Sequence, residues 1–198
     1  MSNKKTSIWG NYITPTKLRL NKTVWDDLRF PATSIDPPGK VDDPSFDIDE
    51  IGWNFANNEQ NIIYIIAQFS HKKKPGTNVI PHIHWQQSQS GQPKWQIEYK
   101  WIANGKEAPD SWTVITSTAD NVFSYSSGTI MQISTFGEIS PPFTDEGYDM
   151  SSIMNIKLTR LGDDSEDTYE ADVILNEFDI HFQIDTAGSF AQFLKYGE

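Results

Sequence analysis

Lys94-Trp95-Gln96-Ile97-Glu98-Tyr99-Lys100-Trp101 alternates without a break. Trp95, Ile97, Tyr99 and Trp101 fall on one side of an extended chain, and Gln96, Glu98 and Lys100 on the other. Side chains of a β-strand point alternately to its two faces, so this stretch predicts a strand with one covered face and one wet face. The same reading extends outward. Residues 152–161 set Met154, Ile156 and Leu158 against Asn155, Lys157 and Thr159. Residues 177–185 set Phe178, Ile180, Phe182 and Ile184 against Asp179, His181, Gln183 and Asp185. Residues 79–85, 112–118 and 129–134 are shorter strand candidates. Residues 62–69 are rich in β-branched side chains and apolar on both faces, which predicts a central strand covered on each side. Only residues 189–196, with Phe190, Phe193 and Leu194, suggest a helical turn. Strands separated by short turns predict an all-β fold, an antiparallel β-sandwich that is jelly-roll-like, and exclude a parallel α/β architecture.

Composition supports that class. Hydrophobic residues make up 37% of the 198, yet aromatics reach 13% with seven Trp, and few large apolar side chains in alternation suit strands better than helices. The length fits one domain able to bury a core without disulfide or metal staples. No cysteine is present, which removes disulfides, thiolate metal sites and a cysteine nucleophile. The longest apolar run, residues 62–67, is far too short to cross a bilayer, and the first residues lack the apolar stretch of a signal peptide. Neither a membrane nor secretion is therefore expected. With 27 acidic against 16 basic residues the net charge is −11, which disfavours nucleic acid as a partner. Lys72, Lys73 and Lys74 form the only basic cluster and read as a solvated loop tip.

The organisation divides near residue 50. Residues 1–50 carry Pro15, Pro31, Pro37, Pro38 and Pro44 and read as an extended N-terminal arm and loops; residues 51–198 read as the β-sandwich domain. Trp9, Tyr12, Trp25, Leu28 and Phe30 punctuate the arm, as expected of a segment lying on a surface, its own or a neighbour's.

Pro81-His82-Ile83-His84-Trp85 is the most distinctive segment. His82 and His84 at i and i+2 share a strand face and can supply two imidazoles to one metal. Gly76 completes a Gly-x5-His-x-His spacing similar to the opening of the cupin metal motif. The glutamate that follows in cupins is missing, Ser88 and Gln89 standing in its place, and the second cupin motif has no match around His181. A third ligand would have to be His181 or an acid from the polar strand face. The commoner reading is a packing or assembly strand, its histidines hydrogen-bonded to neighbouring strands or to another subunit. Phosphate loops, a nucleophile elbow and a His-Glu-x-x-His sequence are absent. Asp179 and Asp185 read as part of a solvated or interface face rather than a glycosidase pair. Trp95, Tyr99 and Trp101 share a face with Ile97, which favours core packing over sugar stacking.

Four segments carry a family resemblance: Trp25-Asp26-Asp27-Leu28-Arg29-Phe30-Pro31, Pro81-His82-Ile83-His84-Trp85, Glu98-Tyr99-Lys100-Trp101 and Glu177-Phe178-Asp179-Ile180-His181-Phe182, with Asp185 and Gly188-Ser189 behind them. In this order, across roughly residues 23 to 189, the chain resembles a family of poorly characterised structural proteins of tailed bacteriophages. The resemblance implies a non-enzymatic virion component without a cofactor: head decoration or fibre, neck or collar, or tail accessory. Its expected partners are itself, as a homotrimer, and other virion proteins, with assembly in the host cytoplasm. Trp9, Tyr12, Trp25, Arg29, His82, His84, Asp179 and His181 are the expected assembly interface. A metal-binding protein or metalloenzyme using His82, His84 and His181 is one alternative; a carbohydrate-binding host-adsorption module is another.

Overall fold

The computed structural model describes residues 22–37, 39–118, 120–142, 150–189 and 192. Among these residues there are eleven strands: β1 (Val24–Pro31), β2 (Ser45–Asp47), β3 (Gly52–Phe55), β4 (Gln60–Gln68), β5 (Val79–Gln87), β6 (Lys94–Ile102), β7 (Thr113–Thr118), β8 (Asp120–Asn121), β9 (Ile130–Thr135), β10 (Ile153–Leu161) and β11 (Val173–Ile184). They form two sheets, and every strand pairing is antiparallel. The smaller runs β4-β10-β6-β7 and the larger β2-β3-β11-β5-β9-β8, with β1 also paired to β11. If β2 and β8 are treated as edge extensions and β1 as an added strand, eight strands remain. Numbered in chain order, these lie 1-8-3-6 in one sheet and 2-7-4-5 in the other. That is the strand order of a jelly roll.

The inward faces of both sheets meet in one core. Trp85, Trp95, Trp101, Phe55, Phe69 and Phe178 are all buried there, and each fully buried side chain of the Phe or Leu class contributes about 1.5–3 kcal/mol by transfer from water. Their rings meet at angles suited to aromatic quadrupoles, as in Trp85 on Tyr169 (5.1 Å, 86°) and Phe55 on Trp95 (5.2 Å, 68°). Two of the buried indoles retain hydrogen bonds: Trp85 Nε1 donates to Ser134 Oγ and Trp101 Nε1 to Ser152 Oγ, both at 2.8 Å. The Trp95-Ile97-Tyr99-Trp101 row is thus core, as its alternation predicts, and Trp95 and Trp101 are out of reach of a sugar.

Three expectations need correction. Residues 62–69 were expected to form a central strand, but β4 is an edge strand of the smaller sheet. Ile63, Ile65 and Ala67 face the core, while Ile66 on the other face is 69% exposed. A β-branched side chain suits the pleat whether or not anything covers it, so apolarity on both faces overstated burial. The Lys72–Lys74 cluster is not a solvated loop tip throughout: Lys73 is fully buried, donating from Nζ to the Lys74 and Thr77 carbonyls above the Phe69 and Trp101 rings. Asp179 is likewise buried rather than solvated.

Part of the stretch read as the arm is a strand. Residues 24–31 form β1, which pairs with β11 over its whole length, and residues 45–47 form β2. Leu28 and Phe30 pack against the core while Trp25, Asp27 and Arg29 point outward. An inward Asp26 and an outward Trp25 hid this alternation. Trp9, Tyr12 and the expected helical turn with Phe190, Phe193 and Leu194 lie outside the described residues.

Candidate functional site

Residues 25–31, 81–85 and 177–182, singled out in the sequence, lie on adjacent strands. β11 runs down the middle, with β1 along one edge and β5 along the other. Opposite residues of an antiparallel pair share a face. Asp179 therefore stands between Arg29 on β1 and His82 on β5, and His181 stands opposite Asp27. A register shift between Leu175 and Glu177 brings Glu177 opposite His84. Ile83, Trp85, Phe178 and Ile180 turn into the core, so all of these polar side chains project from the outer face of the larger sheet.

At the centre two imidazoles converge on one carboxylate oxygen. His84 Nε2 lies 3.1 Å and His82 Nε2 3.5 Å from Asp179 Oδ2. His82 is 2% exposed and Asp179 3%. The His181 ring, centred 4.1 Å from that of His82, covers it, and His181 Nε2 reaches Asp27 Oδ1 at 3.0 Å. Trp25, 45% exposed, sits 6.5 Å from His181 ring to ring. Arg29 grips Glu177 with a two-pronged fork, Nε to Oε1 at 2.8 Å and Nη2 to Oε2 at 2.7 Å. Two buried atoms in the cluster have no hydrogen-bond partner among the described residues: His82 Nδ1 and Asp179 Oδ1.

The electrostatics follow from this packing. Burial works to raise the Asp179 carboxyl, but hydrogen bonds and positive charge from His82 and His84 outweigh it and hold it well below the usual carboxylate range. The hydrogen bond to Asp179 raises the His84 imidazole above its ordinary value, against the opposing effect of burial. Burial, reinforced by repulsion from His82, pushes His181 below its ordinary value.

Of the expected interface residues, the sheet gathers Trp25, Arg29, His82, His84, Asp179 and His181 into one patch. Asp27 and Glu177 belong to the patch as well and were missed. The strict alternation of residues 177–185 placed Asp179 and His181 on one face correctly, but strand adjacency, which brings Asp27 on β1 beside β11, has no local sequence signal. His82, His84 and Asp179 each offer a ligand atom, all within 4.8 Å of one another. The third member is thus the acid, whereas His181 stacks above. The cupin comparison fails on direction. A jelly roll that encloses its ligand does so between its sheets, and here that space is filled by aromatic side chains while the histidines point outward. Gly76 is accounted for by its turn: φ is +70°, and an added Cβ would meet nothing within 4 Å, so backbone conformation alone favours glycine.

No protein-family model matches the chain, and no curated protein matches it. Among solved structures, matches include the crystal structure of dimeric latent PorU from Porphyromonas gingivalis, at 9% identity and a TM-score of 0.33. The alignment covers 84% of this chain and 13% of that one, so the chain spans about an eighth of that protein's length. A likeness of this degree assigns neither fold nor function, and the chain is placed by its own geometry as a jelly roll with an outward His-His-Asp cluster.

Proposed function

We propose that the protein is a non-enzymatic structural component of a bacteriophage virion that assembles as a homotrimer through the outer face of β1, β11 and β5. One observation carries this reading. The segments 25–31, 81–85 and 177–182, far apart in sequence and each part of the resemblance, lie side by side and bring Trp25, Arg29, His82, His84, Asp179 and His181 to one surface. That surface mixes an exposed Trp25 with the Arg29–Glu177 fork, the combination of aromatic and arginine anchors enriched in protein interfaces. A jelly roll fits such a role, as in viral capsid domains, although the fold also hosts unrelated functions.

Light scattering of the full chain tests the reading. A trimer mass is expected at micromolar concentration, and Trp25→Ala combined with Arg29→Glu is expected to shift it toward monomer with the far-ultraviolet spectrum unchanged. A wild-type chain that stays monomeric throughout that range would count against assembly through this face. Locating the chain in a particle reconstruction would establish head, neck or tail.

A further inference from the structure

We infer that His82, His84 and Asp179 form a binding site for a divalent first-row transition cation of the zinc class on the outer face of the larger sheet. Nothing in this inference depends on a virion role. The donor set is two imidazoles and one carboxylate, which suits zinc, iron, cobalt or nickel rather than magnesium or calcium, whose sites are built from oxygen alone.

Geometry is the first support. Metal–ligand distances of about 2.0–2.2 Å at tetrahedral or octahedral angles place neighbouring ligand atoms about 3.0–3.5 Å apart. The Nε2 atoms of His84 and His82 lie 3.1 and 3.5 Å from Asp179 Oδ2, and the whole set fits within 4.8 Å. Three ligands from paired strands arrive on one side, as in a facial arrangement with its remaining positions open. His82 and His84 are separated by one residue of a regular strand, and Asp179 is held opposite His82 by the β5–β11 register, so the backbone needs no distortion to present them.

The second support is an unfinished polar network. Asp179 Oδ1 is buried without a partner among the described residues, in a side chain that is itself almost completely buried. A buried carboxylate left half-satisfied is costly, and a cation is the group that relieves it most directly. Charge points the same way. With the imidazoles neutral, as metal ligation requires, Asp27, Asp179 and Glu177 face one ion-paired cation among the described residues, Arg29, an excess of two negative charges that matches a divalent ion. His181 is not a ligand in this assignment; it covers His82 and is held by Asp27.

The test uses the full chain, produced without a histidine tag and stripped with a chelator, titrated with Zn²⁺ in a calorimeter. One equivalent per chain is expected. Asp179→Asn, nearly isosteric, and His84→Ala, at a partly exposed position, should each weaken binding by more than the ~10–100-fold typical of removing an outer-sphere partner. His181→Ala and, as a control outside the cluster, His71→Ala should keep the stoichiometry. Circular dichroism checks that each variant is folded. Absence of a stoichiometric site in the wild type, or binding unchanged in folded Asp179→Asn, would overturn the inference. Loss on His181→Ala with retention in Asp179→Asn would overturn the ligand assignment. Because stoichiometry and oligomer mass are separate readouts, this inference and the virion reading can fail independently.

Discussion

Asp167 and Asp179 are both buried carboxylates beside cationic or imidazole partners, yet they are finished to different degrees. Asp167 faces Arg160, whose guanidinium is fully buried and uses every donor: Nε and Nη2 hold the two oxygens of Asp167 at 2.9 and 3.0 Å, and the remaining bonds go to the Phe55, Ala171 and Tyr169 carbonyls. Asp167 also accepts from the Lys94 and Tyr169 amides. Nothing in that network is left open. Asp179, by contrast, receives both histidines on one oxygen and leaves the other bare. A saturated buried ion pair has no capacity left for a ligand, so the first is a structural tie between β10 and the loop leading into β11. The second retains capacity for a further partner.

The largest effect expected from this contrast is at the saturated pair. Asp167→Ala strands a buried guanidinium and should cost about 3–5 kcal/mol, read as a lowered urea midpoint. A loss comparable to that of an ordinary surface substitution would break the comparison, because it would mean that Arg160 can find water.

Next in size is the response to pH, where the three displaced groups of the open cluster act in different windows. Asp179 titrates below its unfolded value of 3.8, so its contribution is present above that value and lost as pH falls through the depressed one. His181, pushed below 6.5, also loses its contribution on acidification, as pH falls through its lowered value. His84, raised above 6.5, works the other way: its contribution is complete below 6.5 and fades as pH rises through the raised value. Urea midpoints across the acid range should therefore fall, and Asp179→Asn should flatten the lowest-pH limb. An unchanged acid limb in that variant would show that Asp179 is not held by its histidines.

The smallest effect belongs to the outer face of β4. Ile66→Thr keeps β-branching and removes little contact, so its stability should stay within about 0.5 kcal/mol of the parent. A larger loss would mean that this edge is covered by something outside the described residues.

How much of this was legible in sequence follows from what alternation encodes. It sorts side chains between two faces, and for residues 94–101, 152–161 and 177–185 the sorting was right. It does not say which face is covered, which is why Ile66 read as buried and Asp179 as part of a solvated or interface face. Charge carried the same ambiguity: Arg160 and Lys73 sit where a cation is expected to be wet, yet Arg160 is enclosed by the Asp167 carboxylate and the Phe55 and Tyr169 carbonyls, and Lys73 by the neighbouring Lys74 and Thr77 carbonyls beside the Phe69 and Trp101 rings. The histidine pair was visible from its spacing, while its acid was one of several on a strand. Only the pairing of β5 with β11 selected Asp179.

β11 has a consequence for how the chain acquires its shape. It is the shared partner of β1, β3 and β5, and the Arg29–Glu177 contact spans 148 positions of sequence. Long-range closures of this kind are slow, because loop entropy is lost before the contacts form. Until residues 173–184 emerge from the ribosome, β1, β3 and one edge of β5 remain open and able to pair with other chains. The strand that carries Asp179 and His181 therefore also governs when the nascent chain is protected from aggregation.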